Sequence, residues 1–144
     1  MAKTFIKKPS KRDEAIEKAN NHWNQCAFQD RWIKNGVDKE FVDFADKLGK
    51  FLVDDKLTNS KIRSIYGEMK RIQMRTFEEE KPSFFLMKPK VAYAVGRDDE
   101  TAGLHLFKLF FDRCSQYVND QKTFENFCNV FEAVLAYHKA YGGK

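Results

Sequence analysis

Enzymes hold a nucleophile, a general base or a metal ion within mutual reach, and few side chains in this sequence could supply one. His22 and Cys26 stand four residues apart, which puts both on one helical face. No second His or Cys pair at ligand spacing accompanies them, and a closed zinc site needs four ligands. His105 and His138 fall at helix ends or beside apolar positions, where imidazoles more often pack or cap than move protons. The carboxylate clusters Glu78 to Glu80 and Asp98 to Glu100 are what a metal-dependent nuclease would draw on. Contiguous carboxylates, however, project from a helix in different directions and do not converge on one ion. The spacings Gly-x-x-x-x-Gly-Lys-Ser/Thr, Gly-x-Ser-x-Gly and His-x-x-x-His do not occur. The sequence therefore assigns no catalytic residue, no metal site and no cofactor.

The cations carry more information. Residues 61–75 hold five basic side chains against one acid, Glu68, and residues 81–97 hold four against none. Residues 1–12 add five more without an acid, so the rest of a chain of net charge +5 is negative. Such a band fits a polyanion partner. Arg63 and Lys70 are seven apart and nearly in line on one helical flank, with Ser60, Ser64 and Arg71 on the far side and Lys61 and Arg75 beside them. Guanidinium groups can grip phosphate oxygens bidentately while serines donate single bonds. Lys88, Lys90 and Arg97 flank a second segment containing Tyr93 and small alanines. Two basic segments on separate elements imply a groove. The competing readings are a solvated charged surface, and a helical adaptor that binds an acidic protein segment without nucleic acid.

Helices must position these residues. Glycine and proline are sparse, seven and three, and cut the chain into six pieces of helical length. The first is expected over residues 13–33, with the narrow stripe Ile16, Ala19, Trp23, Cys26 and Ala27. Asp38 caps the second, where Phe41, Phe44, Ala45, Leu48, Phe51 and Leu52 form one face. Thr58 caps the third through its hydroxyl, with Ile62, Ile65, Tyr66, Met69 and Ile72 inward. It is expected to end near Thr76, before the unfavourably placed Glu78 to Glu80 and a break at Pro82. Pro89 and Gly96 then bound a short helix over residues 91–95. The fifth follows Asp98 to Glu100 and is apolar over more than half its circumference, from Leu104 to Val118. The last starts at Thr123, carries Phe124, Phe127, Phe131 and Val134, and stops at Gly142 and Gly143. The expected fold is an all-α, single-domain bundle over residues 13–144, built on helices two, three, five and six, behind a basic arm at residues 1–12.

Fourteen Phe, five Tyr and two Trp suffice for a core without a disulfide framework, and Cys26, Cys114 and Cys128 read as reduced, buried thiols. No apolar run approaches the roughly 18 residues of a membrane span, and the basic start leads into no signal-like stretch, so the cytoplasm is the expected compartment.

Three segments in order carry a resemblance. Residues 57–66 read Leu-Thr-Asn-Ser-Lys-Ile-Arg-Ser-Ile-Tyr, residues 88–97 read Lys-Pro-Lys-Val-Ala-Tyr-Ala-Val-Gly-Arg, and residues 127–141 contain Ala136-Tyr137-His138-Lys139 ahead of Gly142-Gly143. Together they resemble the small subunit of type III-A CRISPR effector complexes, the Csm complex, over roughly residues 40 to 143. The resemblance implies a small all-α, non-catalytic protein. It would stack in several copies along a ribonucleoprotein filament, beside guide RNA and target RNA and among backbone and large subunits. Thr58, Ser60, Arg63, Lys90 and Arg97 match the family pattern, and Lys70, Arg71 and Arg75 extend it along the same helix. For self-contact, the first helix and the N-terminal arm offer one patch, and the acidic segments at 78–80 and 98–100 offer the other.

Overall fold

The computed structural model describes residues 8–144, in which seven helices and no strand occur. They are α1 (Lys11–Asn24), α2 (Arg31–Lys34), α3 (Lys39–Asp54), α4 (Asn59–Gln73), α5 (Phe77–Arg97), α6 (Ala102–Ser115) and α7 (Gln121–Ala140). Residues 1–7 of the expected basic arm lie outside the described residues, while Lys11 and Arg12 open α1. None of these helices is long and apolar enough to cross a membrane.

The expected first helix is divided. Trp32 lies nine residues beyond Trp23, about half a turn around an unbroken helix, so one straight helix could not bury both rings on one side. The chain instead leaves α1 at Gln25, passes through Ala27 at φ +56°, and makes the single turn α2. Trp32 and Ile33 are thereby buried, with Trp32 5.0 Å from Phe44 between ring centroids and its Nε1 donating to Asp38 Oδ1 at 2.9 Å. The left-handed Ala27 is the conformational cost of that insertion.

α3 begins where expected, with the Asp38 carboxylate accepting from the Phe41 N–H at 3.0 Å. Thr58 occupies the N-cap position of α4, but its hydroxyl pairs with Ser60 Oγ at 3.1 Å and not with the backbone. A larger correction concerns α5. The break expected at Pro82 is present as a kink at Glu80, whose dihedrals are non-helical, but residues 91–95 are not a separate short helix: beyond the kink α5 runs on through Pro89 to Arg97. Phe77, Phe84, Met87, Val91 and Val95 form one buried stripe across both prolines. Pro82 stands in the first turn after the kink, where its missing N–H costs nothing, so burial of the stripe has only to outweigh the hydrogen bond removed at Pro89. Gly96 is consequently inside the helix and not its cap. Glu78 to Glu80 open α5 after the Thr76 cap, where negative charge is favourable, and do not close α4. α7 begins two residues before Thr123, with Asp120 and Thr123 forming a reciprocal cap.

α3 lies along α7, α1 along α6, and α5 between α4 and α6. Phe107, Phe110, Phe111, Phe124, Phe127 and Phe131 fill the centre with stacked and edge-to-face rings. Two glycines permit close approach. A Cβ on Gly49 would stand 2.5 Å from Tyr137 Cβ, and one on Gly103 would stand 2.6 Å from the Leu57 nitrogen.

Candidate nucleic-acid interface

α4 and α5 are joined by a short turn and pack against each other, and their burial patterns fix what lies between them. α4 buries Ile62, Ile65, Met69 and Ile72. One flank is left with Ser60, Lys61 and Ser64, facing Pro89, Lys90, Tyr93 and Arg97 on α5 across an open groove of about 640 Å³. Leu104 of α6 and Asp98 close one end. Of the residues singled out in the sequence, the groove brings together Ser60 and Lys61 from one basic segment with Lys90 and Arg97 from the other.

The other expected site residues are placed differently. Arg63 lines a separate depression of about 470 Å³ between α4 and α7, with Tyr66, Glu132 and Leu135. Thr58 sits at the start of α4, bonded to Ser60. Lys88 is exposed on α5 outside the groove lining. Lys70 pairs with Glu132 and lies 5.6 Å from the Tyr66 ring centroid. Arg71 bridges Glu68 at 2.7 Å and Glu80 at 3.1 Å, and Arg75 bridges Glu79 and Glu80, each at 3.3 Å.

The segments that are poor in acid along the sequence are therefore not so in space. The Arg71 guanidinium holds both Glu68 and Glu80 below the usual carboxylate range. Hydrogen bonding to Glu132 raises the Lys70 ammonium. Lys61 pairs with Asp98, which also accepts from Thr101 Oγ1 at 2.9 Å, and the ammonium lowers the Asp98 carboxyl. Lys90 reaches Glu68 only at 4.0 Å. Among the described residues, Arg63, Lys88 and Arg97 form no ion pair. The acidic segments proposed for self-contact are also engaged within the chain: Glu78 with Lys81, Glu79 with Arg75, and Asp99 with Arg12.

Sequence reasoning underrated Tyr93 and overlooked Leu86, both exposed on the groove side of α5. The signal was present in the helical period. Once residues 77–97 are read as one helix, both fall off the stripe formed by Phe84, Met87, Val91 and Val95.

The histidines have structural partners. His22 Nδ1 lies 2.8 Å from Asp55 Oδ2, and its ring stacks on Phe51 at 4.0 Å, while the Cys26 thiol donates to the His22 carbonyl. His105 Nε2 meets the Asp99 carbonyl at 2.7 Å, and the fully buried His138 donates from Nε2 to the Leu57 carbonyl at 2.8 Å. No group of three or more His, Cys, Asp or Glu side chains suited to a metal ion occurs among the described residues.

Comparison with known proteins gives a family. The model of the type III-A Csm2 family matches residues 36–144. The Streptococcus thermophilus protein named "CRISPR system Cms protein Csm2" is 29% identical, over 75% of this chain and 96% of its own length. No solved structure matches. The match covers the groove-forming helices α4 and α5 as well as α3, α6 and α7; among the described residues α1 and α2 lie ahead of it. The chain belongs to the Csm2 family, the small subunit of type III-A Csm complexes.

Proposed function

We propose that the chain is a non-catalytic RNA-binding subunit that stacks in several copies along the guide and target RNA of a type III-A ribonucleoprotein and helps hold the target RNA in antiviral defence. Backbone and large subunits of the complex are its other partners. The observation that carries this reading is the α4–α5 groove, where Lys90 and Arg97 stand with Ser60 and Ser64 on facing helices. Cations follow the phosphates, the hydroxyls donate single bonds, and such contacts position a strand without reading its sequence. All ten residues, Thr58, Ser60, Lys61, Arg63, Lys70, Arg71, Arg75, Lys88, Lys90 and Arg97, remain in the proposed interface, but their weights differ. A cation already paired in the chain must give up a carboxylate before it neutralises a phosphate, so its net gain is small.

The test is the salt dependence of single-stranded RNA binding. Replacing Arg97 or Lys90 by Ala should flatten the slope of log K against log salt by about 0.7 each. Arg71→Ala and Arg75→Ala should flatten it by clearly less. Binding should weaken for all sequences alike, with helicity by circular dichroism unchanged. The same protein with magnesium or manganese should leave RNA and DNA intact. Metal-dependent cleavage that vanishes in Asp98→Ala or Glu78→Ala would sink the non-catalytic reading. Equal binding and an unchanged slope after joint removal of Lys90 and Arg97 would assign the groove to the solvated surface and favour a helical adaptor for an acidic protein segment.

A further inference from the structure

Resting on the reading that this groove carries RNA, we propose that its middle is a stacking seat for one unpaired nucleobase, with Tyr93 as the platform. Tyr93 is 68% exposed although most aromatic rings of the chain are packed inside, and Leu86, two turns earlier on the same side of α5, is 57% exposed. Neither ring nor side chain contributes to the buried stripe, so nothing in the fold requires an aromatic group at this position. The Arg97 guanidinium lies 5.9 Å from the Tyr93 ring centroid, the range of a cation beside a π-face. Aromatic rings and guanidinium planes are the two surfaces on which unpaired bases stack.

The surroundings fit one nucleotide. Lys90 and Arg97 are seven residues apart, about 10 Å along the helix axis, and they bracket Tyr93. A base on the ring therefore has a cation on each side for its flanking phosphates. Pro89, Ala94 and Leu104 give the groove apolar floor, and Ser60 and Ser64 on the facing wall can exchange hydrogen bonds with a 2′-hydroxyl or a base edge. Asp98, next to Arg97, is paired with Lys61 and accepts from Thr101, so its charge is already met within the chain. Bases inside a duplex are already stacked on their neighbours and offer no face to the ring. The seat thus separates unpaired from paired RNA, which the phosphate contacts alone do not.

The experiment titrates the full-length chain into a short single-stranded RNA carrying 2-aminopurine between uridines, and into the same strand annealed to its complement. The wild-type chain should quench the single-strand fluorescence on binding. Tyr93→Ala should abolish that quenching and weaken single-strand affinity by about 5- to 100-fold, with the salt slope kept. Tyr93→Phe should retain both quenching and affinity, and duplex affinity should be the same for all three proteins. Salt-dependent single-strand binding with no quenching, and with no loss in Tyr93→Ala, would overturn the stacking seat while leaving the phosphate-binding groove standing. A wild-type chain that binds neither RNA would overturn both.

Discussion

Cys26 and Cys128 have their thiols pushed up to about 12 by burial, and the fully enclosed Cys114 is also raised well above its ordinary value. In the unfolded chain these thiols ionise near 9, so between about 9 and 12 the unfolded state binds fewer protons than the folded one. The stability they contribute is complete below pH 9 and is lost as pH rises, by up to about 1.4 kcal/mol per pH unit for each buried thiol. Urea unfolding at pH 8 and pH 10 should show that fall. A thiol reagent at pH 8 should label the native chain no faster than it opens, while labelling the urea-unfolded chain at once. The same scale governs the cations. Arg71 and Arg97 are equivalent as residues in a basic segment, yet one is held by Glu68 and Glu80 and the other leans on Tyr93. Charge counted along the sequence weighs the two alike, and so overstates the first.

Helix positions depend on a few backbone approaches. α3 reaches α7 at Gly49, and the chain ahead of α4 is held against α6 at Gly103, whose N–H donates to the Asp55 carbonyl at 2.8 Å. A methyl group at either position meets backbone atoms within 3 Å, and these cannot step aside as a flexible side chain would. Gly49→Ala and Gly103→Ala should each destabilise the fold by about 1–3 kcal/mol, read as a lower midpoint in thermal unfolding. Gly67→Ala on α4, where an added methyl meets nothing within 4 Å, should raise the midpoint by relieving the helix of glycine, about 0.8–1 kcal/mol. The contrast separates close packing from helix propensity. Propensity also explains why α5 was misread. Pro82 follows a real kink at Glu80, whereas Pro89 and Gly96 signal interruptions that fail because the buried face from Phe84 to Val95 is continuous.

For the whole molecule, stacking of copies requires two different, complementary patches that repeat head to tail. The acidic segments around Glu79 and Asp98 are already neutralised within the chain, so contacts through them are weak without neighbours and RNA to align them. Light scattering of the purified chain at micromolar concentration should give mostly monomer with some dimer, and a tight closed tetramer would contradict this stacking. The sequence by itself determined the helical class, the inward faces of α3, α4, α6 and α7, the resemblance to the family, and the two basic stretches, because each is written in residues within a few turns of one another. Tertiary structure alone decided that α1 stops to insert Trp32, that α5 runs on through Pro89, and which cations keep their charge available. The reason is range. Propensity and capping act within one turn, whereas burial and Coulomb attraction act between spatial neighbours, such as Lys61 with Asp98 and Lys70 with Glu132, 37 and 62 residues apart along the chain. Only packing brings such pairs together, and packing likewise set Lys61 of one basic stretch and Lys90 and Arg97 of the other around one groove with an exposed tyrosine.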